Sequence, residues 1–359
     1  MFLKELSLTN YKNFENVKFN FDTKIVCFVG LNGVGKTNVL DSIYHLSHTK
    51  SYFNPIPSQN IKHGESFFFI SGSYRIEDKE ENILISLKRG DKKTIKRNNK
   101  IYKKFSDHIG FIPLVIISPD DRNLITEGSE TRRKFIDGII SQIDKEYLNS
   151  LIDYNKTLKQ RNALLKMFHD NTENIKKTID IYDKHLSTTA EMIFDKRIKF
   201  LNDFIPIFRN RYKQLSNDKE NVEITHKSDI YDAKSLYNLL KNNLDRDIRF
   251  QYTTKGIHKD DLIFNIDNFS VKKFGSQGQQ KTFLISLKLA QFDYLSNFKS
   301  NPILLLDDIF DKLDDNRVKQ IVDLVNEDKF KQIFISDTNK SRSERIIKMV
   351  NKSYKIFEI

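Results

Sequence analysis

Cysteine, glycine and long apolar runs are scarce in this chain. Its one cysteine, Cys27, excludes an internal disulfide framework and a cysteine-ligated zinc site, and the apolar run KIVCFVG around it predicts a buried thiol. No apolar run approaches the roughly 18 residues that span a bilayer, and the first residues, MFLKELSLTN, lack the basic region and apolar core of a signal peptide. We therefore expect a cytoplasmic protein with no membrane partner.

The balance of charge favours a polyanionic partner. The chain has 60 lysine and arginine residues against 48 aspartate and glutamate residues, a formal net charge of +12. Cations that neutralise phosphates release condensed counterions, so a basic protein gains affinity for nucleic acid at low salt. Abundant lysine and asparagine also follow from a biased genome composition, so the charge alone leaves nucleic-acid binding open.

The order of apolar patterns predicts an α/β fold. The segment LKELSLTNYKNFENVKFNF alternates as two strands, and KIVCFV is a continuous apolar run typical of a strand covered on both faces. A glycine turn and the helical pattern NVLDSIYHLS follow, and SFFFISGSYRI, NILISLKR and FIPLVIIS are further strand candidates. Towards the C-terminus the chain alternates helix (QKTFLISLKLAQFDYLSNF), buried strand (PILLLDD), helix (NRVKQIVDLVNE) and strand (QIFISDT), which is typical of a mainly parallel sheet.

The middle of the chain has a different character. Between residues 120 and 249, long lysine-rich segments place apolar residues at helical spacing, over too short a length for an extended coiled-coil arm. Strand character is predicted to return with DIRFQYTTKG and DLIFNI. We therefore expect one α/β domain built from residues 1–119 and 250–359, interrupted by a mainly helical lobe at residues 120–249.

Glycine gathers in the segment GLNGVGKT. Two glycines five residues apart, followed by Lys36 and Thr37, fit a phosphate-binding loop, and the buried strand before it and the amphipathic helix after it are the context that such a loop requires. Backbone N–H groups would surround a phosphate, Lys36 would reach the β- and γ-phosphates, and Thr37 would bind Mg²⁺. The alternative is an accidental glycine turn. The predicted nucleotide-binding residues are Gly30, Leu31, Asn32, Gly33, Val34, Gly35, Lys36, Thr37 and Asn38.

A second element supplies acidic groups. PILLLDD is an apolar strand that ends in two carboxylates, as expected where a buried strand delivers an acid to a phosphate pocket. Asp307 would support Mg²⁺ through water, and Asp308 would orient or deprotonate the attacking water, with Lys36 as the other catalytic residue. Many strands end in such a turn, and the catalytic interpretation depends on the glycine loop. The predicted cofactors are ATP and Mg²⁺.

The polar turn GSQGQQKT precedes another apolar helix. It resembles the signature turn of the ABC and SMC type ATPases, in which a serine, a glycine and a helix N-terminus of one subunit cap the γ-phosphate held by another. The resemblance implies that Ser276, Gln277, Gly278 and Gln279 act in trans. The plainer alternative is a polar helix cap with Ser276 as N-cap. Farther on, DKLDDNR resembles the loop that crosses this dimer interface, with Asp314 as its carboxylate.

Five segments occur in the order typical of one bacterial family. They are GLNGVGKTNVLDSIYHLS, SPDDRNLITEGSETRRKFIDGIISQIDKEYLNSLIDYNKTLKQRNALLK, GIHKDDLIF, GSQGQQKTFLISLKLAQ and PILLLDDIFDKLDDNR. Together they resemble the RecF family of DNA replication and repair proteins, along essentially the whole chain. The resemblance implies an ABC/SMC-type ATPase head with an inserted, mainly helical lobe. It also implies an ATP-dependent homodimer that engages double-stranded DNA and single/double-strand junctions at gaps, and that works with RecR and RecO to load recombinase.

The sequence departs from the family pattern at a few positions. The family usually has arginine in place of Lys12 and Lys259, proline in place of Ile257, and a basic residue near Phe53. Lysine keeps the charge but loses the forked geometry of a guanidinium, so a phosphate contact at those positions is expected to be weaker. Asp308 is one methylene shorter than the glutamate of fast ABC hydrolases, and we therefore expect slow turnover.

Other polar residues are less informative. Arg132, Arg133 and Lys134 begin a helix and are interpreted first as a solvated face, with DNA contact as the alternative. His258 is interpreted as structural, with nucleotide or DNA sensing as the alternative. Gln142 is not expected to sense the γ-phosphate, because that residue belongs just after a strand of the ATPase head, where IISPDD occurs.

Three other functional classes remain open from the sequence. A transport ATPase subunit would need a membrane partner, and the switch histidine of such proteins is absent from ISDT. A small-molecule kinase or nucleotidyl enzyme would use the glycine loop without the signature turn. A non-catalytic adaptor would not depend on the loop lysine. No base-reading module is present, so sequence-specific DNA binding is not expected.

Overall fold

A computed structural model describes residues 1–167, 173–216, 220–230, 232–299, 301–308, 329–350 and 353–359 of the chain. These residues form two compact units. The first consists of residues 1–121 and 288–359, and the second of residues 122–287.

In the described part of the first unit, six antiparallel strands form one sheet in the order β2-β1-β4-β5-β6-β7. Its strands are β1 (Phe2–Tyr11), β2 (Phe14–Asn20), β4 (Phe67–Ile76), β5 (Lys79–Lys88), β6 (Thr94–Arg97) and β7 (Lys100–Ile101). One face of β1, β4 and β5 is buried and the other is partly exposed. The two strands predicted from alternation, β1 and β2, and the strand candidates at β4 and β5 are therefore confirmed, whereas β6 and β7 were not predicted.

A second sheet of the same unit is parallel and carries the apolar runs. Its order, within the residues described, is β14-β3-β13-β12-β8. Its strands are β3 (Ile25–Val29), β8 (Leu114–Ile117), β12 (Ile303–Asp307), β13 (Ile333–Asp337) and β14 (Tyr354–Glu358). Every residue of the central strands β3, β13 and β12 is buried, as expected for parallel strands covered on both faces.

Helix α1 (Lys36–His48) packs against strands of both sheets and forms the centre of the first unit's core. Val39, Leu40, Ile43 and Leu46 are fully buried on it. A Cβ atom at Gly72 of β4 would lie 2.7 Å from the Cδ1 atom of Leu46, so the missing side chain makes room for the helix. The last turn of α1 can thereby pack closely against β4. The unit also contains α10 (Lys340–Val350).

The second unit is mainly helical and has a small sheet. Its helices are α2 (Asn123–Thr126), α3 (Ser129–Ile143), α4 (Lys145–Lys166), α5 (Glu173–Ser216), α6 (Ala233–Asn242), α7 (Leu244–Phe250), α8 (Val271–Phe274) and the first part of α9 (Gln277–Ser296). Its strands are β9 (Val222–Lys227), β10 (Asp261–Ile266) and β11 (Phe269–Ser270). A fully buried guanidinium joins three helical segments, because Arg161 donates to Asp183 at 2.5 Å and to Asp247 at 2.7 Å.

The second boundary between the units differs from the expected one. The first boundary, after residue 121, lies close to the predicted position after residue 119, but the chain returns to the first unit at residue 288 rather than at 250. The reason is strand pairing, since β10 lies antiparallel to β9 over its whole length and so belongs to the inserted unit. Local pattern does not show which partner a strand selects.

The segment DIRFQYTTKG was predicted as a strand, and this prediction was wrong. Residues 247–250 belong to α7. Asp247 is the fully buried residue of α7, while Phe250 is half exposed, so the apparent alternation does not correspond to an apolar inner face. The predicted helix NRVKQIVDLVNE lies outside the described residues.

No helix in the part of the chain that is described has the length and apolar character required to cross a membrane.

Candidate functional site

The segment between β3 and α1 forms a tight glycine loop. Gly33 and Gly35 have φ angles of 87° and 117°, in the left-handed region that L side chains rarely adopt. A Cβ atom at Gly35 would also lie 2.4 Å from the Nδ2 atom of Asn13. Neither position tolerates a side chain without distortion, which explains why a chain so poor in glycine has it here.

The N-terminus of α1 is open to an anion. Its N-cap is Gly35, which offers no side-chain hydrogen bond, and no acidic residue stands in the first turn. The first amide groups of a helix have no partner within it and carry the positive end of its dipole. A phosphate oxygen is the natural acceptor for such groups.

Lys36 lies across the loop. Its Nζ atom donates to the carbonyl oxygens of Gly30 at 2.9 Å and of Leu31 at 2.8 Å, and the residue is 6% exposed. The ammonium group is therefore positioned over the concave side of the loop by neutral acceptors. Leu31 itself is 80% exposed at the tip of the loop.

Asp307 meets Thr37 at the end of β12. The Oγ1 atom of Thr37 donates to Oδ1 of Asp307 at 2.8 Å, and the hydroxyl of Ser336 on β13 donates to the same oxygen at 2.7 Å. Burial raises the pKa of the Asp307 carboxyl, which the hydrogen bonds from Ser336 and Thr37 oppose and the charges of Asp308 and Asp120 reinforce. Ser336 and Asp120 were not predicted from the sequence, because only the order of the parallel strands brings them here.

Thr37 and Asp307 suit Mg²⁺. A hydroxyl and a carboxylate oxygen are hard donors of the kind Mg²⁺ prefers, and this ion is usually bound by one or two protein groups together with substrate phosphates and water. A cation beside Asp307 would also favour the charged form that burial opposes. The residues present therefore fit the predicted ion.

Asp308 occupies a strained position next to Asp307. Its φ angle is 51°, in the left-handed region where aspartate and asparagine are more common than other non-glycine residues. Its backbone N–H donates to Ser336 Oγ at 2.9 Å, so one hydroxyl orders both acidic residues. The turn directs the chain away from β12 immediately after the carboxylate that meets Thr37.

Asn13 braces the glycine loop and was not predicted. Its Nδ2 atom donates to the carbonyl of Val34 at 2.7 Å, and its Oδ1 atom accepts from Nδ2 of Asn38 at 2.7 Å. One side chain thus connects the turn between β1 and β2 to the second half of the loop and to the first turn of α1. The only signal in the sequence was the polar turn NYKNF, whose partner is not visible from local pattern.

Lys12 is engaged inside the first unit. Its Nζ atom lies 2.6 Å from Oδ2 of Asp41, which is fully buried on α1. Burial alone would raise the pKa of Asp41, but Lys12 and the hydrogen bonds from Ser51 and Tyr52 lower it below its usual value. The ammonium group of Lys12 therefore compensates a buried carboxylate.

The predicted signature turn lies in the second unit, between α8 and α9. The Oγ atom of Ser276 accepts from the backbone N–H of Gln279 at 3.2 Å, and Oε1 of Gln279 accepts from the N–H of Ser276 at 2.8 Å. This reciprocal pair is a capping box. Ser276 and Gln277 are exposed, and Gln279 also donates to Glu220 at 2.8 Å. The geometry of a helix cap is therefore present, and it leaves Gln277 and Gly278 outside the box.

The basic cluster at the start of α3 is not a solvated face as a whole. Arg132 is buried and donates to both carboxylate oxygens of Asp261, at 2.7 and 3.1 Å, and to two backbone carbonyls. Arg133 donates to Ser129 and to the carbonyl of Asp260, and only Lys134 is exposed. The default interpretation of this cluster was therefore wrong for Arg132, which is buried against Asp261, while Arg133 is half-buried and partly engaged.

Gln142, His258 and Lys259 all lie in the second unit. Gln142 is buried in α3, where it donates to the carbonyl of Gly138 at 3.2 Å, away from any strand of the first unit's sheets in sequence. His258 lies in the second unit, and Lys259 has its Nζ atom 4.9 Å from the ring centre of Tyr252. Asp314 lies outside the described residues.

The fold and this site define the chain as an ATP-binding head of the ABC and SMC type. The family model described as "RecF/RecN/SMC N terminal domain" matches residues 2–358. The DNA replication and repair protein RecF of Flavobacterium johnsoniae is 56% identical over 360 residues, with both chains covered in full. RecF of Phocaeicola vulgatus is 49% identical, with 100% of this chain and 96% of the relative covered. The chain belongs to the RecF family.

Solved structures agree with this assignment. The structure titled "Structure of the recombination mediator protein RecF-ATPrS in RecFOR pathway" superposes with a TM-score of 0.89 at 31% identity, over 100% of this chain and 96% of that one. The Smc head domain from Pyrococcus furiosus superposes with a TM-score of 0.55 at 16% identity, over 96% and 91% of the two chains. The second similarity concerns the fold alone.

Proposed function

We propose that the protein is an ATP-dependent DNA-binding protein of recombinational repair and replication-fork maintenance. In this proposal ATP drives dimerisation on double-stranded or gapped DNA, and slow hydrolysis releases the DNA. The observation that carries the proposal is the contact of Thr37 with Asp307 beside an uncapped helix N-terminus, in a chain of the RecF family.

Different residues of the first unit would bind the phosphates, hold Mg²⁺ and activate water. The loop amides and Lys36 bind the phosphates, and Thr37 and Asp307 hold Mg²⁺. Bound Mg²⁺ supplies charge neutralisation at the phosphates. Asp308 orients or deprotonates the attacking water. Asn13 keeps the loop in its curved form before nucleotide arrives.

Slow turnover follows from Asp308. Its side chain is one methylene shorter than glutamate, and its left-handed backbone fixes the direction in which the carboxylate can point. A base that reaches less far toward the nucleotide positions water less well. Slow hydrolysis would set the lifetime of the ATP-bound state, and it suits a switch between two states better than repeated movement along DNA.

The second unit would complete the site of another copy. Gln277 and Gly278 open α9 outside its capping box, so their N–H groups can meet a γ-phosphate held by a partner. Ser276 would add its hydroxyl, and Asp314 would act in the loop that crosses the interface.

DNA is proposed as a partner from the net charge of the chain, and the protein partners are proposed from its similarity to a solved protein. The excess of 12 positive charges suits duplex DNA and single/double-strand junctions. A similar solved protein is titled a recombination mediator of the RecFOR pathway, which supports RecR and RecO as the protein partners in recombinase loading. Such a protein would work in the cytoplasm, where a bacterial chromosome is replicated.

ATP turnover per protein molecule, measured over a range of protein concentrations with and without gapped duplex DNA, tests the proposal. A rate per molecule that rises with concentration and is stimulated by DNA is expected for a composite site. A rate that neither concentration nor DNA changes, together with no duplex binding in ATP at low salt, would overturn it.

A further inference from the structure

The second unit contains a cavity of about 250 Å³ that no part of the ATP site uses. It lies where α3 and α4 meet α5 and the short turn at residues 257–259. Its polar wall includes Glu130, Arg133, Lys134, Asn155 and His258. A volume of this size admits a group as large as a nucleotide, whereas an ordinary packing defect holds at most a water molecule or two.

Two of the three cations around the cavity are already neutralised. Arg197 is buried and pairs with Asp137 at 2.8 Å and with Asp260 at 3.0 Å. Lys134 pairs with Glu130 at 2.6 Å, and both side chains are about 70% exposed. An exposed pair of this kind contributes little, so Lys134 can leave Glu130 for a better acceptor.

Arg133 differs from both. Its Nη1 atom donates to Ser129 Oγ and to the backbone carbonyl of Asp260, each at 2.6 Å, and both acceptors are uncharged. No ion pair of Arg133 with a carboxylate occurs in the residues that the structure describes, since the nearby acids Asp137 and Asp260 bind Arg197. Burial and the charge of Arg197 lower the pKa of Arg133, and the charges of Asp137, Asp260 and Glu130 only partly offset this, so the guanidinium is incompletely compensated.

His258 lines the cavity as a neutral side chain whose ring nitrogens are already hydrogen-bonded. Burial lowers its pKa to about 4. Its Nε2 atom lies 3.0 Å from the carbonyl of Thr253 and therefore carries the proton, so Nδ1 accepts from the hydroxyl of Tyr154 at 2.8 Å. Both ring nitrogens are engaged, which supports the structural interpretation of this histidine.

We propose that this cavity binds a phosphate monoester, with Arg133 as the main ligand and Lys134 as the second. A guanidinium with Nε and Nη2 donors left for a ligand suits two oxygens of one phosphate, and Lys134 and Asn155 line the same recess. The recess favours a terminal phosphate over the diesters of an intact duplex, because a terminal group can enter a concave site. The phosphate comes from a free nucleotide or from the phosphorylated end of a DNA strand.

The test is direct binding to the full-length protein carrying Lys36→Met, which removes the competing phosphate site of the glycine loop. Thymidine 5′-monophosphate and inorganic phosphate are titrated by calorimetry, with thymidine as the control lacking phosphate. A short oligonucleotide with a 5′-phosphate is compared with the same strand ending in a 5′-hydroxyl, at one fixed salt concentration because nucleic-acid affinity depends on salt.

Variants separate a ligand contact from a structural role. Arg133→Gln is expected to weaken binding of the monophosphate at least about tenfold, and Arg133→Lys less. Lys134→Gln, at an exposed lysine that pairs with Glu130, is expected to weaken it about threefold without altering the fold. Glu130→Gln is expected to tighten it about threefold, since it removes the acid that competes for Lys134. Arg249→Gln, at an exposed arginine of α7, removes the same charge elsewhere and is expected to change nothing.

The outcomes are distinct. Tighter binding of the phosphorylated strand, lost in Arg133→Gln, identifies a DNA end as the source, whereas binding of the monophosphate alone identifies a free nucleotide. Equal affinity for the monophosphate and thymidine, or equal loss in Arg133→Gln and Arg249→Gln, overturns the inference. The inference does not rest on ATP hydrolysis or dimerisation. The phosphate site can therefore be disproved while the proposed function holds, and the proposed function can be disproved while the phosphate site holds.

Discussion

The N-termini of α1 and α9 both follow glycine-bearing polar turns, but they differ in what satisfies their first amide groups. At α1 the N-cap is Gly35, without any side-chain acceptor, and Lys36 lies over the loop. At α9 the hydroxyl of Ser276 and the amide of Gln279 close a reciprocal capping box. The first terminus leaves its amides open to water or an anion, and the second is partly satisfied by its own chain.

This difference has a functional meaning. A terminus with no internal acceptor loses little when it binds a phosphate, so α1 can hold nucleotide in the isolated chain. A capped terminus is stable alone and gains less from an added anion, which suits a group that contributes only when a second copy approaches. Substitutions at each of the two helix termini test this difference.

Asp308→Asn should lower ATP turnover by about 10²–10⁴-fold, because the general base is lost while asparagine keeps the left-handed backbone. ATP affinity, measured separately by calorimetry, should change less than about threefold. Asp267→Asn is the matched control, since Asp267 is also left-handed, with φ of 47°. Unchanged turnover in Asp308→Asn would remove that residue from the proposed chemistry.

Lys36→Met should weaken ATP binding by about 100-fold or more, because a charge-assisted contact to the phosphates is lost at the open terminus. Equilibrium binding of a fluorescent ATP analogue measures the effect, and Lys79→Met removes an exposed lysine of β5 as control. If Lys36→Met binds ATP like the unaltered protein, the adaptor interpretation gains and α1 is no longer the nucleotide-binding terminus.

Ser276→Arg should abolish ATP-driven dimerisation, observed by light scattering, and reduce turnover about tenfold or more while nucleotide binding is retained. Ser276→Ala should cost about 1 kcal/mol of stability through the lost cap. Asp232→Ala is the matched control, because Asp232 and Ser235 form the same capping box on α6. Equal dimerisation in Ser276→Arg and Asp232→Ala would show that the turn before α9 only caps the helix. An enzyme of the kinase class, which does not use such a turn, would then be favoured.

Asn13→Ala should weaken ATP binding by up to about tenfold, since two hydrogen bonds that shape the loop are lost without any contact to the nucleotide. Asn16→Ala, at an exposed position of β2, is the control. An effect confined to thermal stability, with ATP affinity intact, would show that the open terminus does not need this brace.

The sequence was sufficient where function depends on neighbours in the chain. The glycine loop, its lysine and the acidic strand could be predicted because spacing and context within a few residues determine them. Asn13, Ser336 and the second unit boundary could not, since each depends on a partner far along the chain that only strand order brings close.

The arginines of α3 show that a distant partner can also make an expectation from local sequence wrong. A run of basic residues indicates a solvated face on average. Here Arg132 binds Asp261, the first residue of β10, and Arg133 donates to the carbonyl of Asp260 just before it, so both arginines contact the start of that strand. Charge patterning predicts exposure only when no distant acid or carbonyl returns to the helix.

The last turn of α1 makes the nucleotide-binding unit sensitive to acid. Burial lowers the pKa of both His45 and His48 to about 3, with Asp41 opposing this at His45 and nearby lysines adding to it at both. In the unfolded chain each would titrate near 6.5. Their stabilising contribution is therefore complete above pH 6.5 and falls as pH drops from 6.5 toward 3, by about 1.4 kcal/mol per histidine per pH unit. Loss of ATP binding in mildly acidic buffer would then reflect unfolding of α1 and its sheets, so the protein is best stored and assayed above neutral pH.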